Sequence, residues 1–260
     1  MLTHRYDGDG LHRRPDELIV EEPLEIHLDG TLVATTMRTP GHDFELAAGF
    51  CFTDGLLGDA AVRRCKYCGT GSAVDSEFNV VTVDTGGQAP LPRPRLTAVT
   101  SACGMCGTAA IDEVRERLHP LPPARPIPLD VVARVPEVAA AGADLFGVTG
   151  AVHAAATFDP DGRVLLVRED IGRHNAVDKV VGRMLLDDDL PATGLGLWVS
   201  GRASFEIVQK AWAAGLGTVV AVSAPSSLAV AAARLAGMTL CGFAREGRLN
   251  VYTGLDGAER

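Results

Sequence analysis

The chain has 260 residues, 47% hydrophobic and 22% charged, a balance that excludes a mainly disordered protein and allows a sizeable buried core. Its formal charge of −9 argues against a general nucleic-acid or acidic-membrane surface, since such partners need clustered Lys and Arg that release counterions; any anionic ligand must be held by a local basic pocket. No apolar run approaches the ~20 residues that cross a bilayer, and Met1 to Gly10 lack a signal-peptide core. The expectation is a cytoplasmic protein whose six cysteines are free thiols, metal ligands or redox groups rather than structural disulfides.

In chain order, an Asp29-Gly30 hairpin signal separates two alternating, β-branched segments, Glu22 to Leu28 and Thr31 to Arg38. Asp43 to Thr53 has a helical pattern, and Phe78 to Val83 reads as a further strand. Residues 89–95 and 119–128 are too rich in proline to continue a helix or a central strand, so they are connectors. Between them lies Cys103-Gly104-Met105-Cys106, followed by Gly107 and a helix from about Thr108 to Leu118. Asp112 and Glu113 fall in its first turns and Arg115 and Arg117 later, as the helix dipole favours. The two thiols thus precede a helix amino terminus, where partial positive charge and free amides favour the thiolate.

Past the second connector, Ala151 to Phe158 and Arg163 to Val167 form a strand pair across Asp159-Pro160-Asp161-Gly162, and a helix covers His174 to Leu186. The last quarter alternates: strand Gly196 to Val199, helix Ser204 to Ala214, strand Thr218 to Val222, helix Ser226 to Ala236, then strands Thr239 to Phe243 and Leu249 to Tyr252. Near-continuous apolar strands such as Thr218 to Val222 suit a sheet covered by helices on both faces, so the fold class is α/β. A smaller α+β domain is expected over 1–125 and the layered α/β domain over 126–260. Ligands of such sheets sit at strand carboxyl ends, here Ser200-Gly201-Arg202, Ser223-Ala224 and Ala244 to Arg248.

Three readings of the Cys103 and Cys106 pair stand side by side. With Cys65-Lys66-Tyr67-Cys68 the pair supplies four thiolates for a tetrahedral zinc site, although the intervening stretch is longer than the ~15–20 residues of a zinc ribbon. A thioredoxin-like redox couple lacks its β-α-β surroundings. A mobile sulfur carrier, in which one thiolate attacks a donor persulfide and its neighbour resolves, is favoured by the glycine-rich loop. Cys51 and Cys241 lie in apolar segments and read as core thiols. Arg245 and Arg248, spaced around Glu246 and Gly247, suit bidentate phosphate binding or a plain solvated turn. Residues Glu169 to Lys179 suit either helix capping with ion pairs or an anion or purine site, and His153 within an apolar strand reads as a satisfied core histidine.

Taken together, Cys103 to Gly107, Thr149 to Ala155, Glu169 to His174 with Asp178-Lys179, Ser204 to Lys210, and Gly242 to Arg248 with Tyr252-Thr253 resemble the formate dehydrogenase accessory sulfurtransferase family, FdhD. The likeness runs from about Glu21 to Thr253. It implies a homodimeric sulfur carrier with a cytidine-deaminase-like α/β domain after a smaller α+β domain. Such a carrier accepts persulfide sulfur from a cysteine desulfurase. It passes the sulfur to the bis(molybdopterin guanine dinucleotide) molybdenum cofactor before that cofactor enters formate dehydrogenase. By matching, Cys103 is the persulfide-bearing residue and Cys106 its partner, while Phe243, Ala244, Arg245, Glu246, Gly247 and Arg248 bind the cofactor. The resemblance implies no resident metal. The Cys65 and Cys68 pair lies outside the resemblance, which leaves two alternatives: a molybdenum-cofactor chaperone without catalysis, and a structural zinc protein using both Cys pairs. Deaminase chemistry is not expected, because Ala154-Ala155 follow His153 where an H-x-E signature would place its acid.

Overall fold

The structure is a computed structural model that describes residues 1–68, 77–91, 111 and 114–255. An amino-terminal hairpin of β1 (Leu2–Tyr6) and β2 (Leu11–Pro15) forms a two-stranded antiparallel sheet. No sequence signal anticipates it, because its residues are almost all exposed and lack the apolar alternation of a strand with one buried face.

A four-stranded sheet follows, ordered β4-β3-β6-β5, from β3 (Glu22–Leu28), β4 (Thr31–Arg38), β5 (Arg64–Tyr67) and β6 (Val80–Asp84). Asp29 and Gly30 join β3 to β4 with φ of 48° and 87°, the two positive values that a tight hairpin turn requires. Strand β3 alternates as predicted, with Leu24, Ile26 and Leu28 buried against α1 (Asp43–Thr53). Strand β5 was not expected; it carries Cys65, whose side chain packs on the same apolar cluster.

The six-stranded sheet is ordered β12-β11-β10-β9-β7-β8 and confirms the α/β reading. Its strands are β7 (His153–Phe158), β8 (Val164–Asp170), β9 (Gly196–Val199), β10 (Thr218–Ala221), β11 (Thr239–Arg245) and β12 (Arg248–Thr253). Helix α2 (Leu129–Ala140) lies on one face; α4 (Arg173–Leu186), α5 (Phe205–Ala213) and α6 (Ser227–Ala236) cover the other. Alternate residues of single strands enter different cores: Leu197 and Val199 face α4 and α5, whereas Trp198 faces α2. That double burial is why these strands read as continuous apolar runs.

Helix α2 and the short α3 (Asp144–Thr149) were not predicted. Pro136 interrupts the helical pattern of α2, yet Val132, Val135, Pro136 and Ala139 are buried along one stripe. Packing of that stripe outweighs the hydrogen bond that proline cannot donate. Of the helix expected from about Thr108 to Leu118, residues 114–117 are helical; most of the remainder lies outside the described residues.

Helices α1 and α4 cross at glycines and bring the two larger sheets together. A Cβ at Gly182 would lie 1.7 Å from the Glu45 carbonyl oxygen, and one at Gly49 would lie 1.9 Å from the Asp178 carbonyl oxygen. Both obstacles are backbone, which cannot rotate away. Gly182→Ala is therefore expected to cost about 3 kcal/mol, the upper end of ordinary overpacking, as a lower urea midpoint; an unchanged midpoint would mean that the helices separate freely.

Candidate functional site

Strands β8, β9, β10 and β11 run parallel and end on the same side of the six-stranded sheet, where antiparallel β7 and β12 begin. The three loops singled out from the sequence therefore share one edge. Backbone hydrogen bonds stitch them side by side: Ser223 donates to Gly201 O at 3.2 Å, Ser226 to Ala203 O at 3.1 Å, and Phe243 to Ser223 O at 3.2 Å.

At one end of this edge sits the turn from β11 to β12. Arg245 pairs with Arg248 across Glu246 and Gly247, whose φ values of 53° and 67° fit a two-residue hairpin turn. Phe243 also has positive φ, 52°, and stands 43% exposed beside the turn. Phe243, Arg245, Glu246 and Arg248 line a cleft of ≈ 490 Å³. Two members of the expected segment are engaged otherwise. Ala244 is fully buried in the core beneath α2, and the Glu246 amide donates to Glu137 Oε1 of α2 at 2.7 Å. The turn is thus pinned from below, with both guanidinium groups left outward.

Toward β7 and β8 the edge carries His153, Arg173, His174 and Arg202. His153 opens β7, and the space a Cβ would take on Gly201 lies 3.3 Å from its Nδ1, so glycine lets the imidazole pack over the β9 loop. It is only partly buried at the sheet edge, which corrects the reading as a core histidine. Burial, then Arg173 and Arg202, lower its pKa. His174 Nε2 lies 3.0 Å from Ser204 Oγ and 3.8 Å from Glu206 Oε2. Burial first, then the charges of Arg173 and Lys210, bring its pKa down to about 4, so both rings are neutral at physiological pH.

Other residues of Glu169 to Lys179 belong to the frame. Lys179 Nζ is 2.7 Å from Asp170 Oδ2 and donates to the carbonyls of Thr39 and Glu169, with both charged side chains almost fully buried. Asp170 also accepts from the amides of Thr39 and Gly172 and from Asn175 Nδ2. Asp178 is held by Lys210 and Thr53. The sequence left this segment open between ion-paired capping and ligand binding. The structure divides it: Asp170, Asp178 and Lys179 fix α4 in place, and Arg173 and His174 reach the edge. Ser204 and its contact with His174 had no separate signal, since the two residues are far apart in sequence.

A larger cavity of ≈ 640 Å³, lined by Thr157, Leu165, Arg168, Arg183 and Asp187 among others, opens at the opposite ends of β7 and β8. Its arginines are engaged, Arg168 with Glu45 at 2.5 Å and Arg183 with Asp187 at 2.6 Å. The strand-end edge is chemically better equipped.

The FdhD/NarQ family pattern matches residues 19–258. This chain belongs to the FdhD/NarQ family. Among the relatives, the sulfur carrier protein FdhD of Streptomyces coelicolor is 48% identical over 253 residues, covering 94% of this chain and 89% of that protein. FdhD of Nocardia farcinica is 49% identical, covering 93% and 88%. A crystal structure of a protein assigned as a formate dehydrogenase accessory protein from Desulfotalea psychrophila superposes with a TM-score of 0.75 at 25% identity, covering 97% of this chain and 95% of that one.

In this FdhD/NarQ chain, Cys103 and Cys106 lie outside the described residues. The described cysteines divide by environment. Cys51 and Cys241 are fully buried, and burial pushes the Cys241 thiol up to about 12 and Cys51 higher still, as expected for core thiols. Cys65 is raised to about 11 by burial, and its Sγ contacts the Phe44 carbonyl at 3.9 Å. Cys68, just past β5, is partly exposed. Among the described residues no group of three His, Cys, Asp or Glu side chains is arranged to hold a metal ion, and no helix is long and apolar enough to cross a membrane.

Proposed function

We propose that this protein is a sulfur carrier that serves formate dehydrogenase maturation through a cysteine persulfide. The Cys103 thiolate attacks the terminal sulfur of a persulfide on a cysteine desulfurase; the donor S–S bond breaks, the donor cysteine leaves as thiolate, and Cys103 holds the atom as S–SH. Attack of the Cys106 thiolate on Cys103 Sγ would then break the persulfide S–S bond, close a Cys103–Cys106 disulfide and release the outer sulfur as sulfide to the bis(molybdopterin guanine dinucleotide) molybdenum cofactor, the cargo. A homodimer working in the cytoplasm, with formate dehydrogenase as client, completes the reading.

The observation that carries it is the basic strand-end edge of an otherwise acidic chain whose relatives are named sulfur carriers. A pterin guanine dinucleotide offers a purine for Phe243 to stack on and phosphate oxygens for guanidinium groups, so the residues present fit it. Arg245 and Arg248 would hold the nucleotide, and the cofactor supplies the metal that receives sulfur.

GDP binding tests the nucleotide half of the reading. Arg248 pairs with Glu246 at 2.7 Å, and both side chains are more than 70% exposed, so their pair adds about 1 kcal/mol or less to stability. Arg248→Ala is therefore expected to weaken GDP binding about tenfold or more, the loss of one charge-assisted hydrogen bond, with little change in melting temperature. Equal GDP affinity in the variant would move the nucleotide away from this turn.

A further inference from the structure

We propose that Arg173, Arg202, His153 and His174 form a second subsite on the same edge, one that takes a phosphate or diphosphate group. The proposal deepens the function given above and rests on that reading for the identity of the ligand as a nucleotide. The subsite itself rests on the geometry.

The first ground is an unsatisfied donor. Arg173 Nε is buried and has no hydrogen-bond partner among the described residues. Trp198 Nε1, the other such atom among the described residues, lies in the core beneath α2, whereas Arg173 is only partly buried at the strand-end edge, where an acceptor from outside the chain fits the unpaired Nε. An acceptor oxygen with negative charge suits a guanidinium best.

The second ground is uncompensated charge. The charges of Arg173 and Arg202 both lower the His153 pKa, and Gly201, the neighbour of Arg202, packs under the imidazole, with a Cβ position 3.3 Å from its Nδ1. The nearest carboxylates do not balance them. Asp170 is taken by Lys179, Asn175 and two backbone amides. Glu206 is half exposed and offsets one positive charge at most. Because both imidazoles stay neutral, they offer N–H donors without adding repulsion between cations.

Backbone donors add to this. Gly172, the residue before α4, supplies no side-chain cap, whereas Ser204 before α5 meets both His174 and the Glu206 carboxylate. At α5 the Glu206 carboxylate already occupies its own first-turn amide, so only the α4 N-terminus adds backbone donors beside the arginines. Two arginines on separate elements, Arg173 at the start of α4 and Arg202 in the loop after β9, match the spread of oxygens on a diphosphate better than those of a small monovalent ion.

Calorimetric titration of the full chain with inorganic pyrophosphate, GDP and guanosine tests the subsite. Arg202→Gln and Arg173→Gln are each expected to weaken pyrophosphate and GDP about tenfold to a hundredfold while guanosine binding is unchanged. Arg202 is in a loop, so its variant keeps the test valid if Arg173→Gln does not fold. GDP and pyrophosphate held equally by wild type and both variants would overturn the subsite and leave the sulfur-carrier reading standing. Arginine-dependent pyrophosphate binding without GDP binding would keep the subsite and remove the guanine reading. Wild-type protein that binds neither pyrophosphate nor GDP would overturn the subsite outright.

Discussion

After incubation with a cysteine desulfurase and cysteine, the wild-type protein is expected to gain the mass of one sulfur atom, and Cys103→Ala is expected to gain none. The described cysteines sharpen this prediction. Sulfur uptake needs a thiolate that a donor enzyme can reach. Cys51 and Cys241 meet neither condition, being wholly buried and strongly raised in pKa. Cys65, at about 11, is thiolate in roughly one molecule in 10⁴ at pH 7. Cys68 remains as the described cysteine to be compared, so Cys68→Ala is the control and should label as wild type does. Loss of Cys106 should leave uptake but slow delivery of the sulfur. Labelling of Cys103→Ala to the wild-type level would remove that residue from the role, and labelling lost in Cys68→Ala would transfer the role to the other pair.

Much of the fold was legible because its strands and helices carry their own signals. Strand Gly196–Val199 has the bounds its apolar run implied, and Ser226 accepts the Ala229 amide at 3.1 Å as the cap before α6. What escaped notice lacked a local signal. The β1–β2 hairpin buries no face, β5 has no fully buried residue to give it an apolar run, and Pro136 masks a helix that tertiary packing holds. The same division runs through the site. Arg245 and Arg248 declare themselves by spacing around a Glu-Gly turn, and the loop at Arg202 by its place after a strand. That His153 packs over Gly201, or that His174 meets Ser204, follows from strand order, since β7 is inserted between β8 and β9. No periodicity encodes that adjacency.

The same strand order explains why so many charges are buried away from the edge. Arg168 with Glu45, Lys179 with Asp170, and Lys210 with Asp178 pair groups from different elements. In the last of these, Lys210 Nζ of α5 lies 2.8 Å from both oxygens of Asp178 on α4 and 3.0 Å from Thr53 Oγ at the end of α1. Three helices therefore meet on one ammonium group. Lys210→Met keeps much of the side-chain volume but strands Asp178, which is 2% exposed. Breaking a buried pair from one side costs about 3–5 kcal/mol, a large part of the ~5–15 kcal/mol that holds a typical domain folded.

The loss should depend on pH in a defined direction. Burial already raises the Asp178 pKa and Lys210 opposes that rise; without the lysine the folded-state value climbs further above the unfolded value of about 3.9. A carboxyl raised on folding binds its proton more tightly in the native state, so its contribution is present below the unfolded pKa and is lost as pH increases through the folded one. The deficit of Lys210→Met relative to wild type should then be small near pH 4 and grow toward neutrality, as read from urea midpoints at several pH values. Adding Asp178→Asn should recover part of the stability at pH 7, because a neutral amide is less costly to bury than an unpaired carboxylate. A deficit independent of pH, with no recovery in the double variant, would show that Lys210 contributes packing rather than charge, and that the junction of α1, α4 and α5 does not depend on this ion pair.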